Sequence, residues 1–324
     1  MSINRTFFFT AVILGMIAAI TTNASATILF ATEPVSSSSA EIVKLDTTTS
    51  AVTVVLPPQS TLIDSLFFDP TGRLIFSEQY AGVVLALDLE TDTVTTLASG
   101  LPFPADMVLD PTLTSFLVSN VGVNNSNNIS RVSLTGGLLG SLSIAGYPNG
   151  IIYDNLGRLF VNVTLSATDH VVEQIDPITG AVIQQSPNIG FFLDGLTFDS
   201  TTGMLFASAR DQTTLGAPAE VVQINPSNLN SFSLISPIGA PLQGPDGIVS
   251  DGLGNLFIAD YSGAVEYDIA THNGTVVANL PFDDIAPASG LGSQPTDVPE
   301  PSSLAILAAS LAGIGLVGRR RRVT

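Results

Sequence analysis

The sequence predicts an all-β fold, a six-bladed β-propeller built from four-stranded antiparallel blades. Three observations support this fold class: a recurring strand-start motif, a tight turn after it, and a large apolar pair after the turn. The strand-start motif places Asp or Asn before an apolar strand and recurs at intervals of 42, 43, 45 and 52 residues. Such a repeat indicates an array of similar units rather than a single sandwich. The five copies begin at Asp64, Asp106, Asn149, Asp194 and Asp246.

Each copy carries the signals of four short strands. A glycine-containing turn such as that at 69–73 follows the first strand, where Gly can adopt the positive φ of a tight hairpin. A second strand with a large apolar pair comes next, and a further turn joins a third strand to a fourth. Four antiparallel strands in roughly 45 residues are typical of a propeller blade. The apolar pairs are Ile75-Phe76, Phe116-Leu117, Leu159-Phe160, Leu205-Phe206 and Leu256-Phe257.

The remaining blade is split between the two ends of the domain. Before the first full copy, Leu29-Phe30 matches the apolar pair and residues 46–50 match the outer turn, but a first strand is missing. Residues 284–290 repeat the start of a first strand and then stop. We therefore expect 284–290 to complete the N-terminal blade and close the ring, which leaves no open sheet edge. The propeller domain is predicted at 27–290, followed by a linker at 291–297.

The N-terminal residues 1–26 have the pattern of a secretory signal peptide. Arg5 precedes an apolar run at 7–20, and Ala24-Ser25-Ala26 has the small-x-small form that signal peptidase cleaves. We expect cleavage after Ala26. The chain contains no cysteine, so disulfides do not hold the exported domain together and its stability must come from a packed core.

The C-terminal residues 298–324 combine three features. Val298-Pro299-Glu300-Pro301 is followed by an apolar segment at 304–318 and then by four arginines at 319–322. As a helix the apolar segment would be about 22 Å long, which is marginal because an ordinary span needs about 20 residues. The arginines would remain on the cytoplasmic side. The pattern predicts a transient membrane anchor.

This tail resembles the sorting signal of PEP-CTERM proteins, which Gram-negative bacteria export and hand to a membrane-embedded exosortase. The resemblance implies processing near Pro299, Glu300 and Pro301. It also implies export through the inner membrane to the cell envelope, the cell surface or the extracellular matrix. A permanent C-terminal anchor would not explain the Pro-Glu-Pro sequence.

The charge of the predicted mature region is strongly negative. Residues 27–297 contain 27 acidic and five basic side chains, a net charge of −22. Such a surface repels nucleic acid, which excludes that class of partner. It favours cations or basic partners, although solubility alone is the simpler explanation.

The strand-start residues define a candidate site. Because the first strand of every blade lines the central channel and begins at the same face, these residues should surround one mouth of the channel. Long polar loops predicted at 121–129, 164–171, 210–221 and 236–245 lie on that face. The predicted set, here called the mouth ring, is Asp64, Asp106, Asn149, Asp194, Asp246 and Asp284.

Converging carboxylates favour a bound cation, because like charges raise one another's pKa and a cation relieves the repulsion. Oxygen ligands without cysteine suit Ca²⁺ or Mg²⁺. The alternative is that each acidic side chain accepts backbone N–H bonds near its own strand, as in Asx turns. The residues favour this alternative.

Three strand starts resemble those of a known group of propellers. Pro148-Asn149-Gly150, Leu193-Asp194-Gly195 and Pro245-Asp246-Gly247 are similar to motifs of the gluconolactonase and senescence-marker-protein family and of related NHL-repeat and streptogramin-lyase propellers. In the lactonases such residues and a glutamate hold one divalent cation, which polarises the ester carbonyl. The resemblance implies that Asn149 and Asp194 are ligands and that Asp106 lies beside them. Asp284 takes the place of the glutamate, a departure from the family pattern.

Two functions remain open at this stage. The favoured one is a non-catalytic envelope or exopolymer protein that binds extracellular polysaccharide, an envelope protein or a cation. The other is a divalent-metal-dependent, lactonase-like hydrolase, for which His170 is the candidate general base, although a lone His in a polar loop is more often solvated. Because Trp is absent, aromatic platforms for sugars must come from tyrosine. The tyrosines are Tyr80, Tyr147, Tyr153, Tyr261 and Tyr267.

Overall fold

Six four-stranded antiparallel sheets make up the part of the chain that the computed structural model describes, residues 27–122, 127–211 and 219–288. The predicted six-bladed propeller is confirmed. The predicted signal peptide, linker and sorting tail lie outside the described residues. None of the described residues belongs to a helix long and apolar enough to span a bilayer.

The strands follow the chain order within each blade. Blade 1 contains β1 (Ile28–Ser36), β2 (Ser39–Asp46) and β3 (Ala51–Gln59). Blade 2 contains β4 (Ile63–Phe68), β5 (Leu74–Glu78), β6 (Val83–Asp88) and β7 (Thr93–Ser99). Blade 3 contains β8 (Pro104–Leu109), β9 (Ser115–Asn120), β10 (Asn128–Ser133) and β11 (Leu138–Ser143).

The second half repeats this arrangement. Blade 4 contains β12 (Tyr147–Tyr153), β13 (Leu159–Ser166), β14 (Asp169–Ile175) and β15 (Val182–Gln185). Blade 5 contains β16 (Phe192–Asp199), β17 (Met204–Arg210), β18 (Glu220–Ile224) and β19 (Phe232–Ile235). Blade 6 contains β20 (Pro245–Ser250), β21 (Asn255–Asp260), β22 (Gly263–Asp268) and β23 (Gly274–Ala278).

The inner strand of blade 1 comes from the opposite end of the chain. Strand β24 (Ile285–Pro287) pairs antiparallel with β1, with Leu29 opposite Pro287, so the order in this sheet is β24-β1-β2-β3. The first and last strands of the domain therefore share one blade, which is the ring closure expected from the incomplete N-terminal repeat.

The apolar pairs of the second strands fill the interfaces between blades. Adjacent residues of a strand point to opposite faces of the sheet, so each pair can contact both neighbouring blades. In blade 2, Ile75 packs in a cluster with Phe116 of blade 3, whereas Phe76 packs with Phe30 of blade 1. Both members are fully buried, which explains why the repeat conserves two large apolar residues side by side within this chain.

The propeller has two distinct faces. The inner strands begin at the face called here the ring face, which also carries the links between second and third strands. The opposite turn face carries the first hairpin turn of each blade. On the turn face Arg73, Arg131 and Arg158 each pair with an aspartate and also donate to a carbonyl of the next blade. The carbonyls belong to Leu134 (2.8 Å), Pro177 (2.9 Å) and Pro226 (3.1 Å) respectively.

Candidate functional site

A β-bulge at the start of the inner strands shapes the channel mouth. In blade 5, Leu193 pairs with Ala209 and Leu196 with Ala207, so two residues of β16 oppose the single residue Ser208. The inner strands of blades 2, 3, 4 and 6 have the same two-against-one shift. Bulges of this kind redirect side chains, here at the mouth of the channel.

The bulges place the predicted ring residues in two structural positions. The first position holds Asp64, Ala105, Asn149, Asp194 and Asp246 in blades 2 to 6. The second position holds Ser65, Asp106, Gly150, Gly195 and Gly247. Asp106 is therefore equivalent to the glycines of blades 4, 5 and 6 and not to Asp194, which corrects the alignment drawn from the sequence.

Blade 1 departs from the sequence alignment in the same way. The Asp284 N–H donates to Thr32 Oγ1 (2.8 Å), just as the Gly195 N–H donates to Ser208 Oγ (2.9 Å). Asp284 thus occupies the second position, and Asp283 is the residue equivalent to Asp194. The Asp-Asp doublet hides this register because either residue satisfies the motif.

All six predicted residues nevertheless line one small cavity at the mouth. Gly195 and Gly247 complete its wall, and its volume is about 10 Å³. A space of that size holds about one water molecule. The channel interior below it, a space of about 80 Å³ that shares Asp106, Gly195 and Asp284 with the mouth cavity, is lined mainly by apolar side chains of the inner strands such as Met107 and Ile151.

Asp106 and Asp284 connect neighbouring inner strands. Asp106 Oδ2 accepts the Ile151 N–H (2.9 Å), and Asp284 Oδ2 accepts the Leu66 N–H (2.8 Å). The two contacts are equivalent, because Ile151 and Leu66 follow the bulge in their own blades. These carboxylates therefore accept backbone amides of the next blade, and Asp106 Oδ1 also accepts the Met107 N–H of its own strand (2.7 Å), as the structural alternative predicted.

In blades 4, 5 and 6 glycine occupies the second position because the inner strands pack closely there. A Cβ atom on Gly150 would lie 2.3 Å from the Asp194 carbonyl oxygen. One on Gly195 would lie 2.7 Å from the carbonyl oxygen of Asp246. Both obstacles are backbone atoms, so neither can move away cheaply. The glycine of the Asx-Gly motif thus serves packing around the channel.

Polar residues on the second strands satisfy the backbone of the bulges. Ser208 Oγ accepts the Gly195 N–H and donates to the Asp246 carbonyl, and Asn162 Nδ2 donates to the Asp194 carbonyl (2.9 Å). Ser77 plays the equivalent part in blade 2. These residues were not predicted from the sequence, although a polar side chain in a buried, otherwise apolar strand was a usable signal.

Arg210 covers the ring and was also missed as a site residue. Its Nη2 lies 2.5 Å from Asp194 Oδ2 and its Nη1 lies 3.2 Å from Asp246 Oδ2. The guanidinium lies 5.2 Å from the ring centroid of Phe192 and 5.6 Å from that of Tyr261. Nη1 also donates to the Tyr261 hydroxyl (2.6 Å). Two carboxylates and two aromatic faces therefore hold this cation at the mouth.

The electrostatics of the mouth follow from burial. Burial raises the pKa of Asp106 and of Asp283 to about 6, and burial together with the neighbouring Asp283 raises the pKa of Asp246 to about 7. The pKa values of Asp64, Asp194 and Asp284 rise well above the ordinary value for the same first reason. Several of these carboxyl groups therefore keep a proton near neutral pH.

Arg210 remains charged in this setting. Burial alone would lower the pKa of its guanidinium, but the carboxylates of Asp194 and Asp246 outweigh that effect and raise it. The same burial, with Asp246 nearby, raises the pKa of Tyr261 to about 12. The mouth thus contains a permanent internal cation.

The arrangement does not fit a divalent cation. Within the described residues, no group of three or more His, Cys, Asp or Glu side chains is arranged to hold a metal ion. Asp194 and Asp246 already pair with Arg210, and the amide nitrogen of Asn149 donates to Asp194 Oδ1. A guanidinium therefore supplies the positive charge that the sequence analysis assigned to Ca²⁺ or Mg²⁺.

His170 does not lie in a loop. The predicted loop at 164–171 is a tight hairpin between β13 and β14, and His170 is a buried residue of β14. Its Nδ1 lies 3.0 Å from Thr164 Oγ1, and its ring meets that of Phe192 edge-on at 5.7 Å. Burial lowers the pKa of the imidazole, so the neutral form is favoured. These contacts place His170 in the packing of the hairpin.

Fold and mouth together define a closed six-bladed propeller whose channel mouth is covered by an internal ion pair. The C-terminal tail indicates where the protein is sorted. Residues 297–322 match the family model described as the PEP-CTERM protein-sorting motif. The protein is therefore exported through the membrane and sorted to the cell surface or envelope, and the motif implies processing by an exosortase. No curated protein matches the chain significantly.

Solved structures share the fold at low sequence identity. A chain of a nidogen/laminin complex has a TM-score of 0.63 and 18% identity, over 83% of this chain and 100% of that one. A gluconolactonase from Xanthomonas campestris has a TM-score of 0.56 and 16% identity, over 70% and 79%. A streptogramin B lyase has a TM-score of 0.50 and 14% identity, over 66% and 67%. These likenesses show the propeller fold alone.

Proposed function

We propose that this protein is a non-catalytic binding protein of the cell envelope or exopolymer. The observation that carries the proposal is Arg210, which pairs with Asp194 and Asp246 over the channel mouth. In a lactonase-like site those carboxylates would be available to a metal ion, and substrate would reach it from the ring face. Here the Arg210 guanidinium pairs with both carboxylates. The cavity at the channel mouth, about 10 Å³, is also too small for a lactone ring.

The ligand class follows from the side chains exposed on the ring face. Tyr147 begins β12 at the ring face, and Tyr80 and Tyr261 lie in ring-face links between second and third strands. All three are exposed, whereas Tyr153 and Tyr267 are buried. A tyrosine offers a flat apolar face and a hydroxyl in one rigid side chain, which suits the faces and hydroxyls of a sugar. With a net charge of −22 over residues 27–297, the surface favours a neutral or cationic polysaccharide over a polyanion.

The binding test uses the full chain in detergent with immobilised sugar polymers. Dextran and chitosan oligosaccharides are the probes, and alginate is the anionic comparison. We expect the double variant Tyr80→Ala, Tyr147→Ala to bind dextran or chitosan about tenfold more weakly, because two stacking surfaces are lost. The control Tyr153→Phe alters a tyrosine that is buried near the turn face and should bind like the parent.

The hydrolase alternative has its own test. Titration calorimetry with calcium and a gluconolactone hydrolysis assay, each with and without chelator, should detect neither metal binding nor turnover by the full chain. Chelator-sensitive turnover that disappears in Asp194→Ala would overturn the non-catalytic proposal and favour the hydrolase. A double tyrosine variant with unchanged sugar binding would instead contradict only the assigned ligand surface.

A further inference from the structure

Both ends of the described propeller leave the same face. The Thr27 N–H donates to Thr47 Oγ1 (3.2 Å), and the Thr47 N–H donates to the Thr27 carbonyl (3.1 Å). Thr47 belongs to the turn between β2 and β3, which lies on the turn face. At the other end the Ala288 N–H donates to the Ile28 carbonyl (2.8 Å). The two ends are thus neighbours on the face opposite the mouth ring.

The chain beyond Ala288 is short. The apolar segment at 304–318 begins 16 residues after Ala288. An unstructured chain of 16 residues spans on average about 20–24 Å, and no chain of that length can exceed about 55–60 Å. A tail embedded in a membrane would therefore hold the turn face of blade 1 close to the lipid surface.

Exposed aliphatic side chains occupy the same face. Leu156 and Leu253 at the tips of first hairpin turns are 73% and 74% exposed, and Ile178 in an outer turn is 83% exposed. Leu156 and Ile178 belong to blade 4 and Leu253 belongs to blade 6, whereas the tail leaves the propeller at blade 1. The exposed aliphatic side chains are therefore spread over the turn face. The ring face has fewer strongly exposed aliphatic side chains, Val35 at 53% and Leu280 at 38%, together with the three tyrosines described above.

We propose that the tethered protein stands on the bilayer with its turn face, through Leu156, Ile178 and Leu253, and displays the mouth ring and its tyrosines outward. The occupant of the turn face is the lipid surface beside the embedded tail. This inference goes beyond the proposed function: it rests on the membrane anchor predicted at 304–318 and applies to the chain before exosortase processing removes that anchor. It adds which face the environment can reach.

The absence of cysteine from the sequence permits single-cysteine fluorophore labels in the intact chain. Two matched pairs sample both faces of opposite blades: Thr48→Cys and Ser38→Cys in blade 1, Asn155→Cys and Ala167→Cys in blade 4. The first member of each pair lies on the turn face and the second on the ring face, and all four residues are exposed. The full chain is placed in phosphatidylcholine nanodiscs that contain a nitroxide-headgroup lipid as quencher.

We expect the turn-face labels to be quenched several-fold more than the ring-face labels in both blades. In detergent without the quencher lipid the members of each pair should not differ. Substitution of Leu156, Ile178 and Leu253 by Ser should reduce quenching at Asn155→Cys while the chain still elutes with the nanodisc. Equal quenching of the two faces, or stronger quenching on the ring face, would overturn the orientation. Failure of the full chain to elute with nanodiscs would also overturn the orientation, because it requires the segment at 304–318 to be embedded in the bilayer, and it would leave the proposed binding function untouched.

Discussion

Arg210 brings one fixed positive charge to a cluster of six carboxyl groups at the channel mouth. Removing one partner of a largely buried ion pair leaves the other charge unpaired, and this commonly costs about 3–5 kcal/mol. The Arg210 side chain is 23% exposed, so the lower end of that range applies. The carboxyl groups belong to Asp64, Asp106, Asp194, Asp246, Asp283 and Asp284.

We predict that Arg210→Gln lowers the free energy of unfolding by about 3 kcal/mol and creates affinity for calcium. With the guanidinium gone, Asp194 and Asp246 need another cation, and oxygen ligands suit Ca²⁺. Urea unfolding followed by circular dichroism measures the first effect, and calorimetric titration with calcium measures the second.

The matched control for Arg210→Gln is Arg158→Gln. It removes the same charge from an ion pair with Asp154 on the opposite face. It should destabilise the protein without producing calcium binding. Calcium binding by the parent protein, or no gain in Arg210→Gln, would show that Arg210 does not replace a cation.

At the residue scale the sequence predicted the mouth ring but not its partners. The motif of Asp or Asn before an apolar strand can be recognised from the sequence alone, so the six residues of the mouth ring could be predicted. The Arg210 contacts join residues 16 and 36 positions apart through folding, and nothing in the local sequence indicates them. The positions of Asp106 and Asp284 depended on bulge register, which a strand-start motif does not determine.

At the scale of the element, the bulge and its glycine determine how closely the inner strands approach. The second bulge position faces the backbone of the next blade at Gly150 and Gly195. Where Asp stands there instead, its carboxylate accepts an amide of that neighbouring strand. The same position thus admits either no side chain or one that bonds the next blade.

We predict that Gly195→Ala destabilises the propeller more than Gly72→Ala. The new Cβ at 195 would lie 2.7 Å from the Asp246 carbonyl oxygen, which is a clash with backbone. Overpacking usually costs about 1–3 kcal/mol, and this substitution should cost at least the upper end of that range. Gly72 has nothing within 4 Å, so its substitution costs only the strain of φ +88°, about 1–2 kcal/mol. Urea unfolding followed by circular dichroism compares the two variants.

Equal losses of stability in the two glycine variants would indicate that the inner strands can separate without cost.

The sequence predicted these strands and their order well, because apolar pairs and glycine turns recur in every repeat. It predicted the hairpin at His170 badly. The polar residues 166–169 suggested a long loop, whereas β13 and β14 continue through most of it.

At the scale of the whole molecule, proton binding at the mouth couples stability to pH. The folded-state pKa values of Asp106 and Asp283 are about 6 and that of Asp246 is about 7, all raised from the ordinary 3.8. The folded protein therefore binds more protons than the unfolded chain between these values. The stability that these groups contribute is fully present below their unfolded pKa and is lost as pH rises through 6 and 7.

The hairpin aspartates act in the opposite direction. Hydrogen bonds from neighbouring residues overcome the effect of burial and lower the pKa of Asp69, Asp110 and Asp199 below 3.8. Their contribution is present above the unfolded pKa and is lost as pH falls through the folded values. Together the mouth carboxyl groups and the hairpin aspartates place the maximum stability at about pH 4–5.

We predict that the thermal unfolding midpoint falls as pH is raised from about 5 to about 8. The steepest decline should lie between about pH 5 and 6, where Asp106, Asp283 and Asp246 still hold protons in the folded protein but are ionised in the unfolded chain. Circular dichroism melts of the full chain in detergent measure this profile. Asp246→Asn should flatten the profile between pH 6 and 8, and a midpoint that rises over this range would contradict the assignment.

The overall architecture was accessible from sequence because blade boundaries repeat and because each end of the chain carries part of one blade. The function was less accessible. The sorting tail specifies a destination, and the propeller serves many activities, so the residues that decide between binding and catalysis are those placed by tertiary contacts.

The pairing of β24 with β1 has a consequence for the timing of folding during export. An exported chain crosses the membrane from its N-terminus, so β1 emerges first and its inner partner, Ile285–Pro287, emerges last. The edge of β1 therefore remains unpaired until almost the entire domain has crossed the membrane, and pairing between strands so far apart in the sequence is slow. Only about ten residues separate β24 from the sorting motif that starts at 297. Completion of the fold and arrival of the sorting signal at the outer surface thus become nearly simultaneous events.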